Sequence, residues 1–150
     1  MKKSLRLFTD GAARGNPGLA GLGVVIEDDQ GMRLRGLHRY LGIATNNEAE
    51  YHALIDGLKA VADWKPDRLE VNLDSKLVVE QIKGNYRVKK PELQQLHRRA
   101  KELLKSFAEV DINHVDRERN KGADYLANLA IDEHNERSRG SVVGGRVPRG

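Results

Sequence analysis

The sequence has no cysteine among its 150 residues. Disulfide bonds and thiolate metal sites are therefore excluded, which agrees with a reducing compartment and argues against soft-metal chemistry. No apolar run approaches the length of a membrane span, and the run that follows Met1 is too short for a signal-peptide core. We therefore expect a soluble, cytoplasmic protein in which one domain buries a core without covalent cross-links.

Acidic residues are missing from the last part of the chain. Residues 137–150 contain four arginines and no acid, whereas the other 22 lysines and arginines are matched by 22 acids in residues 1–136. Because this last segment has no apolar periodicity, we predict a folded domain over 1–136 and a basic flexible tail over 137–150. Further basic residues around 87–105 fit either a polyanion-binding face or an ordinary solvated helix face.

Apolar and polar residues alternate near the start of the chain, a pattern typical of strands. The alternation predicts a strand from Ser4 to Thr9 that ends at Asp10, followed by a glycine-rich turn over residues 11–21. Two further strands are predicted over 23–27 and 32–40, joined by a hairpin turn. The domain should therefore open with three antiparallel strands.

The first helix has a clear start signal. Thr45 and Glu48 match a capping box, in which each side chain satisfies a backbone N–H at the start of a helix. The helix should run to about Asp63, and its apolar stripe, followed back toward the N-terminus, passes through Glu50. Glu48 lies off that stripe, so we assign the capping role to Glu48 and a buried position to Glu50.

The remaining elements alternate between strands and helices. Strands are predicted over 69–73 and around 110–115, and between them lie a short helix capped by Ser75 and a longer helix that begins at Pro91. A closing helix over 122–134 has Asp124 in its first turn. The order β-β-β-α-β-α-β-α predicts an α/β fold in which helices flank a five-stranded mixed sheet.

Four acidic side chains stand at the ends of these elements: Asp10, Glu50, Asp74 and Asp124. Adjacent parallel strands end at the same edge of a sheet, so the acids should converge there, where they would repel one another without a cation. An all-oxygen set suits Mg²⁺, and two such ions can drive phosphodiester hydrolysis. Each acid alone also fits a helix cap or a surface charge, but four together favour a metal site.

Four segments of the chain resemble type 1 ribonuclease H. They are residues 9–18 (TDGAARGNPG), 45–50 (TNNEAE), 73–75 (LDS) and 120–127 (NKGADYLA). Their order and spacing agree with that family over residues 4 to about 134, which is far more specific than a single short motif. The resemblance implies the ribonuclease H-like fold.

The same resemblance implies a role for each matching residue. The four acids would be the catalytic carboxylates, holding two Mg²⁺ or Mn²⁺ ions and cutting the RNA strand of an RNA/DNA hybrid to leave 5′-phosphate and 3′-hydroxyl ends. Substrate would be bound by Asn16, Thr45, Asn46 and Asn47, with the amides in the minor groove, where RNA displays its 2′-hydroxyls. His114 matches a histidine that assists proton transfer or product release, although a strand histidine is as readily structural.

Some positions depart from the family pattern. Between Gly84 and Lys90 there is no room for the extra helix and basic loop of some members, and Lys76 and Ile43 stand where some members use a glutamine and an arginine on the substrate. The chain therefore resembles the compact bacterial and archaeal branch, some of whose members also cut double-stranded RNA. We expect a monomer whose partner is RNA/DNA hybrid, with double-stranded RNA left open and no membrane partner.

Two other classes of protein share parts of this pattern. A non-catalytic module that binds hybrid or double-stranded RNA would keep the asparagines but would not need a complete carboxylate set. An integrase or resolvase of similar fold would share the carboxylates but has no use for asparagines that contact 2′-hydroxyls. A ribonuclease accounts for both groups of residues.

Overall fold

A twisted sheet of mixed direction organises the molecule. The computed structural model describes residues 3–144, and the side chains of residues 3–139. Within that part the strands are β1 (Ser4–Gly15), β2 (Gly18–Asp28), β3 (Arg33–Ala44), β4 (Arg68–Leu73) and β5 (Val110–His114). Their spatial order is β3-β2-β1-β4-β5, antiparallel from β3 to β1 and parallel from β1 to β5. The predicted five-stranded mixed sheet is confirmed.

Four α-helices accompany the sheet in the described residues. They are α1 (Asn46–Ala62), α2 (Lys76–Lys83), α3 (Pro91–Leu104) and α4 (Lys121–Gly144), and a short 3₁₀ helix, Arg117–Asn120, precedes α4. The predicted start signals are confirmed: Thr45 and Glu48 form both bonds of the capping box, and the Ser75 hydroxyl accepts the Val78 N–H. Of the described helices, none combines the length and apolarity that a membrane crossing requires.

The helices cover the sheet from two sides. Alternation along β1 directs Leu7 into the larger core, beneath α1, and Phe8 into a smaller core with Val25, Ala123 and Leu126. The larger core also receives buried residues of α2 and α3, whereas α4 lies on the opposite face. α1 and α4 lie on opposite faces of β1. A residue just beyond the last parallel β1–β4 pair can therefore contact side chains of both helices.

Two glycines let these helices approach the strands closely. A Cβ at Gly11 would overlap the backbone of Ala49 and Glu50, and a Cβ at Gly23 would overlap the carbonyl of Ala123. Glycine within a strand often marks such an approach of another backbone. The positions of α1 and α4 over the sheet therefore depend on the missing side chains of Gly11 and Gly23.

The predicted end of the first strand is wrong. β1 continues past Asp10 to Gly15, and residues 18–21, which were assigned to a glycine-rich turn, belong to β2. The turn itself comprises only Asn16 and Pro17, between the paired residues Gly15 and Gly18. The prediction was wrong because the glycines of this segment were interpreted as turn residues, whereas Gly11 lies in a strand and allows the close packing of α1.

The predicted end of the closing helix at residue 134 is also wrong, and part of the segment predicted as a flexible tail is helical. α4 continues to Gly144, so residues 137–144 are helical, and the rest of the predicted tail lies outside the described residues. Once a helix has been nucleated, adding residues costs little. No proline stands between Pro91 and Pro148, so the helix can extend beyond the last apolar contacts with the sheet.

Replacing Gly11 with alanine tests the close packing of α1. The added methyl group would meet the α1 backbone, which cannot move aside as a flexible side chain can, so we expect a loss of more than about 2 kcal/mol in the free energy of unfolding. Gly36→Ala is the control, because a Cβ there meets the end of a Leu126 side chain at 3.3 Å. Equal urea midpoints for the two variants would contradict this account.

Candidate active site

Asp10 and Asp74 are brought together by the parallel pairing of β1 and β4. The last pair in this ladder joins Thr9 to Leu73, so Asp10 and Asp74 are the next residues on neighbouring strands. β4 then ends, and its chain turns into α2 behind Ser75. The two acids therefore occupy one edge of the parallel part of the sheet, as the sequence predicted.

Glu50 reaches the same edge from the first turns of α1. The N–H of Gly11 lies just beyond the last β1–β4 pair and donates a hydrogen bond to Glu50 Oε1 at 3.0 Å. Glu50 is 4% exposed, whereas Glu48 is half-buried and bonded to the Thr45 N–H at 2.8 Å. The predicted division of roles between the two glutamates is confirmed at the level of structure: Glu48 caps the helix and Glu50 enters the site.

Three carboxylates form the centre of this arrangement. Single oxygens of Asp10, Glu50 and Asp74 all lie within 4.8 Å of one another. They face a cavity of about 550 Å³ whose wall also includes Asn46, His114 and Asp124. The sequence placed all four predicted acids in one site, and the structure brings all four to this cavity, with Asp124 outside the set of three.

The electrostatics of the cluster favour protons or a cation. Burial, followed by the nearby charges of Glu50 and Asp74, raises the pKa of Asp10 to about 10. Burial and Asp74 also raise the pKa of Glu50, to about 8, although the hydrogen bond from Gly11 works in the opposite direction. At neutral pH the cluster therefore holds protons unless a cation replaces them. Its all-oxygen donors fit a hard divalent cation.

Asp124 approaches from the other face of the sheet. It lies in the first turn of α4, and its side chain forms a hydrogen bond with Asp10 that further raises the pKa of Asp10. Asn128, one turn later, donates its side-chain N–H to Asp124 Oδ1 at 3.2 Å. Asn128 was not predicted from the sequence, although its spacing of four residues from Asp124 places both side chains on one helix face.

The helix that carries Asp124 is held close to the site by a buried amide. Asn120 is 1% exposed, and its side-chain N–H donates to the backbone carbonyl of Thr9 at 3.0 Å. Thr9 directly precedes Asp10, so this bond ties the start of α4 to the strand that carries the first acid. Asn120 belongs to the segment that resembles the family, but its role was not predicted.

The predicted substrate-binding residues lie beside the carboxylates. Asn16 Oδ1, in the turn between β1 and β2, accepts the backbone N–H of Asn46 at 3.0 Å. Asn46 lines the carboxylate cavity, and a neighbouring cavity of about 180 Å³ is lined by Asn16, Thr45 and Asn47 together with Lys90. The four residues therefore form one surface that continues from the acids.

His114 is placed at the rim of the carboxylate cavity. It is the last residue of β5, pairs with Leu73 in the parallel ladder and is exposed. Because Leu73 directly precedes Asp74, His114 stands near the acids but outside the buried cluster. Another histidine, His38 on β3, pairs instead with Glu133 at 2.8 Å.

Comparisons with known proteins agree with this fold. A family model described as reverse transcriptase-like matches residues 8–130. Ribonuclease HI of Halobacterium salinarum is 45% identical over 127 residues, which cover 84% of this chain and 63% of that protein. The crystal structure of RNase H1 from this archaeon has a TM-score of 0.84 at 42% identity, with 87% of this chain and 98% of that chain covered.

A second solved structure is similarly close. LC11-RNase H1, crystallised in complex with RNA/DNA hybrid, has a TM-score of 0.82 and 40% identity, with 87% of this chain and 98% of that chain covered. The chain spans less than two thirds of the length of two curated relatives that it matches, 63% of the Halobacterium protein and 34% of a bifunctional Mycobacterium tuberculosis protein.

The mixed sheet, the helices on its two faces and the acidic cluster define the ribonuclease H-like fold. Within that class, the matched family model and the relatives at 40–45% identity are more specific than the fold alone. The chain belongs to the type 1 ribonuclease H family. The resemblance found in the sequence is confirmed.

Neutralising Asp10 should stabilise the protein when no cation is bound. The pKa of Asp10 is raised in the folded state, so the stability present below pH 4 is lost as the pH rises toward 10. At pH 8 without divalent cations, Asp10→Asn should gain on the order of 2 kcal/mol in free energy of unfolding. Urea unfolding with a chelator measures this gain, with the exposed Asp29→Asn as control. A destabilised Asp10→Asn protein would contradict the electrostatic account.

Proposed function

We propose that this chain is an endoribonuclease that hydrolyses the RNA strand of RNA/DNA hybrids. The observation that carries the proposal is the set of Asp10 and Glu50, which are buried, and Asp74, which is half-buried, next to the bonded pair Asn16 and Asn46. A relative with 40% identity was crystallised with RNA/DNA hybrid, which supports the same partner here. Double-stranded RNA is the second substrate to test, because it also displays 2′-hydroxyls in its minor groove.

The carboxylates fit Mg²⁺, with Mn²⁺ as its substitute. Asp10, Glu50 and Asp74 provide the first oxygens, and Asp124 extends the set from α4. Two bound ions would activate a water and stabilise the leaving oxygen of an in-line displacement. The raised pKa values of Asp10 and Glu50 support this role, because they show that the clustered negative charges need neutralisation, which a cation can provide in place of protons.

Hydrogen bonds within the chain orient two of the proposed metal-binding carboxylates. The Gly11 N–H fixes the carboxylate of Glu50, and Asn128 holds that of Asp124. In the proposed reaction a water oxygen bonds to phosphorus while the bond from phosphorus to O3′ breaks, leaving a 5′-phosphate and a 3′-hydroxyl. O3′ must gain a proton. His114, at the rim of the cavity, is the residue that we assign to proton transfer or product release.

The asparagine surface would identify the RNA strand. Amide side chains both donate and accept hydrogen bonds, so Asn16, Asn46 and Asn47 can bond to 2′-hydroxyls and base edges. Thr45 can cap α1 and bind a phosphate at the same time. Its hydroxyl oxygen accepts the Glu48 N–H at 3.2 Å, which leaves the hydroxyl proton for donation to a phosphate oxygen. Lys90, in the same cavity wall, adds a positive charge.

All of these residues belong to residues 1–136, which we propose as the catalytic domain. One chain supplies the complete set, so the proposed enzyme acts as a monomer. The basic residues of the last 14 positions would add contacts to phosphates without taking part in the reaction.

The two neighbouring glutamates give the sharpest test of the proposed activity. Glu50→Gln removes a charged oxygen ligand and should lower the cleavage rate by several powers of ten, on the order of 4 kcal/mol. Glu48→Gln keeps the capping bonds, because glutamine also accepts the Thr45 N–H, and should remain within about threefold of the natural protein.

Labelled RNA/DNA hybrid, double-stranded RNA, single-stranded RNA and duplex DNA should each be offered with Mg²⁺ and with Mn²⁺. The proposal expects cutting of the RNA strand of the hybrid and no cutting of duplex DNA. Hybrid that is bound but never cut would support a binding module. Cleavage of duplex DNA, or full activity in Glu50→Gln, would overturn the proposed function.

A further inference from the structure

Asn128 joins two charged residues that lie far apart in the chain. Its side-chain N–H donates to Asp124 Oδ1 at 3.2 Å and to the Asp124 backbone carbonyl at 3.1 Å. Its side-chain oxygen accepts a hydrogen bond from the Arg14 guanidinium at 3.3 Å. Arg14 is itself held by an ion pair with Asp132 at 2.8 Å. A continuous chain of polar contacts therefore runs from the end of β1 to the fourth acid.

The partners determine which way the Asn128 amide faces. If the amide were reversed, its oxygen would meet the Asp124 carboxylate, two acceptors facing each other, and its NH₂ group would meet the guanidinium donors of Arg14. Both bonds would be lost. The observed orientation also lets the positive charge of Arg14 polarise the amide, which strengthens its donation to Asp124.

Asp124 needs such a support more than the other acids do. Asp10 lies within β1, Asp74 directly follows β4 and Glu50 is bonded to Gly11. Asp124, by contrast, is half-buried on a helix, bonds to Asp10 and lies outside the set of three close oxygens. A carboxylate that is free to change rotamer would spend part of its time away from the cavity. One donation from the Asn128 amide holds the Asp124 carboxylate, and the second, to the Asp124 backbone carbonyl, fixes the amide itself.

We propose that Asn128 is a positioning residue that, oriented by Arg14, holds the carboxylate of Asp124 toward the cation site. The proposal rests on the proposed function, because it assigns Asp124 to the same reaction. Asn128 bonds to Asp124, and both Asn128 and Arg14 also line the cavity. A positioning role predicts an effect on cation requirement and turnover, whereas direct contact with the substrate would raise KM. Removing a residue that orients a metal ligand typically costs between 10- and 100-fold in metal affinity or activity.

Asn128→Ala separates this role from a structural one. Alanine favours a helix more than asparagine does, so the variant should melt at the same temperature as the natural protein or higher. The Mn²⁺ concentration for half-maximal hybrid cleavage should nevertheless rise about tenfold, and kcat should fall, while KM for the hybrid stays unchanged. Asn135→Ala, on the same helix, is the matched control. Asn128→Gln keeps an amide and should restore part of the loss.

A second readout does not depend on activity. Calorimetric titration of the free protein with Mn²⁺ should show weaker binding in Asn128→Ala and in Asp124→Asn, and no further weakening when the two changes are combined. If the natural protein cuts no hybrid, the proposed function fails, but this titration still decides the role of Asn128. Unchanged Mn²⁺ affinity in Asn128→Ala, full additivity with Asp124→Asn, or a rise in KM alone would overturn the proposal.

Discussion

The contact between the backbone of Gly11 and the first turns of α1 is the constraint on which the site depends. Any side chain at Gly11 would occupy the space of Ala49 and Glu50. The same residue donates its N–H to Glu50, so one glycine sets both the distance of the helix and the orientation of its acid. Gly23 plays the corresponding part for α4, which brings Asp124 to the site from the opposite face. Asp10 and Asp74 come from the sheet. Glu50 and Asp124 come from helices that can approach the strands closely only because Gly11 and Gly23 have no side chain.

This arrangement concentrates negative charge where the fold can least tolerate it. Asp10 and Glu50 are 5% and 4% exposed, and both have raised pKa values, so their clustered charges destabilise the fold unless a cation or protons neutralise them. Sites that bind cations or perform acid–base chemistry often retain such unfavourable groups, and the rest of the fold offsets them. Here the large apolar core between the sheet and α1 supplies that compensation. The position of the acids at the end of the parallel ladder leaves one side open to a substrate.

The sequence was most informative where a local pattern has one physical meaning. The capping box and the apolar stripe of α1 distinguished the role of Glu48 from that of Glu50. A capping side chain and a buried side chain point in different directions around the helix axis. Strand alternation placed Asp74 correctly. The predicted strand end at Asp10 was wrong, because the glycines that follow it were interpreted as turn residues. Without the position of the partner helix, the sequence does not show that Gly11 serves close packing. Asn128 and Asn120 were missed for a related reason: an asparagine on a helix is uninformative until Asp124 and Thr9 are seen next to it.

The gathering of distant acids into one cation-binding site is the central claim, and paramagnetic broadening of amide NMR signals by Mn²⁺ tests it most directly. At substoichiometric Mn²⁺, the N–H signals of Gly11, Glu50 and Ser75 should disappear first, because these residues surround the proposed site from three separate elements. Signals near exposed acids elsewhere, such as Asp29 and Asp67, should persist. Loss of signals first around those exposed acids, with Gly11 and Glu50 unaffected, would contradict the account.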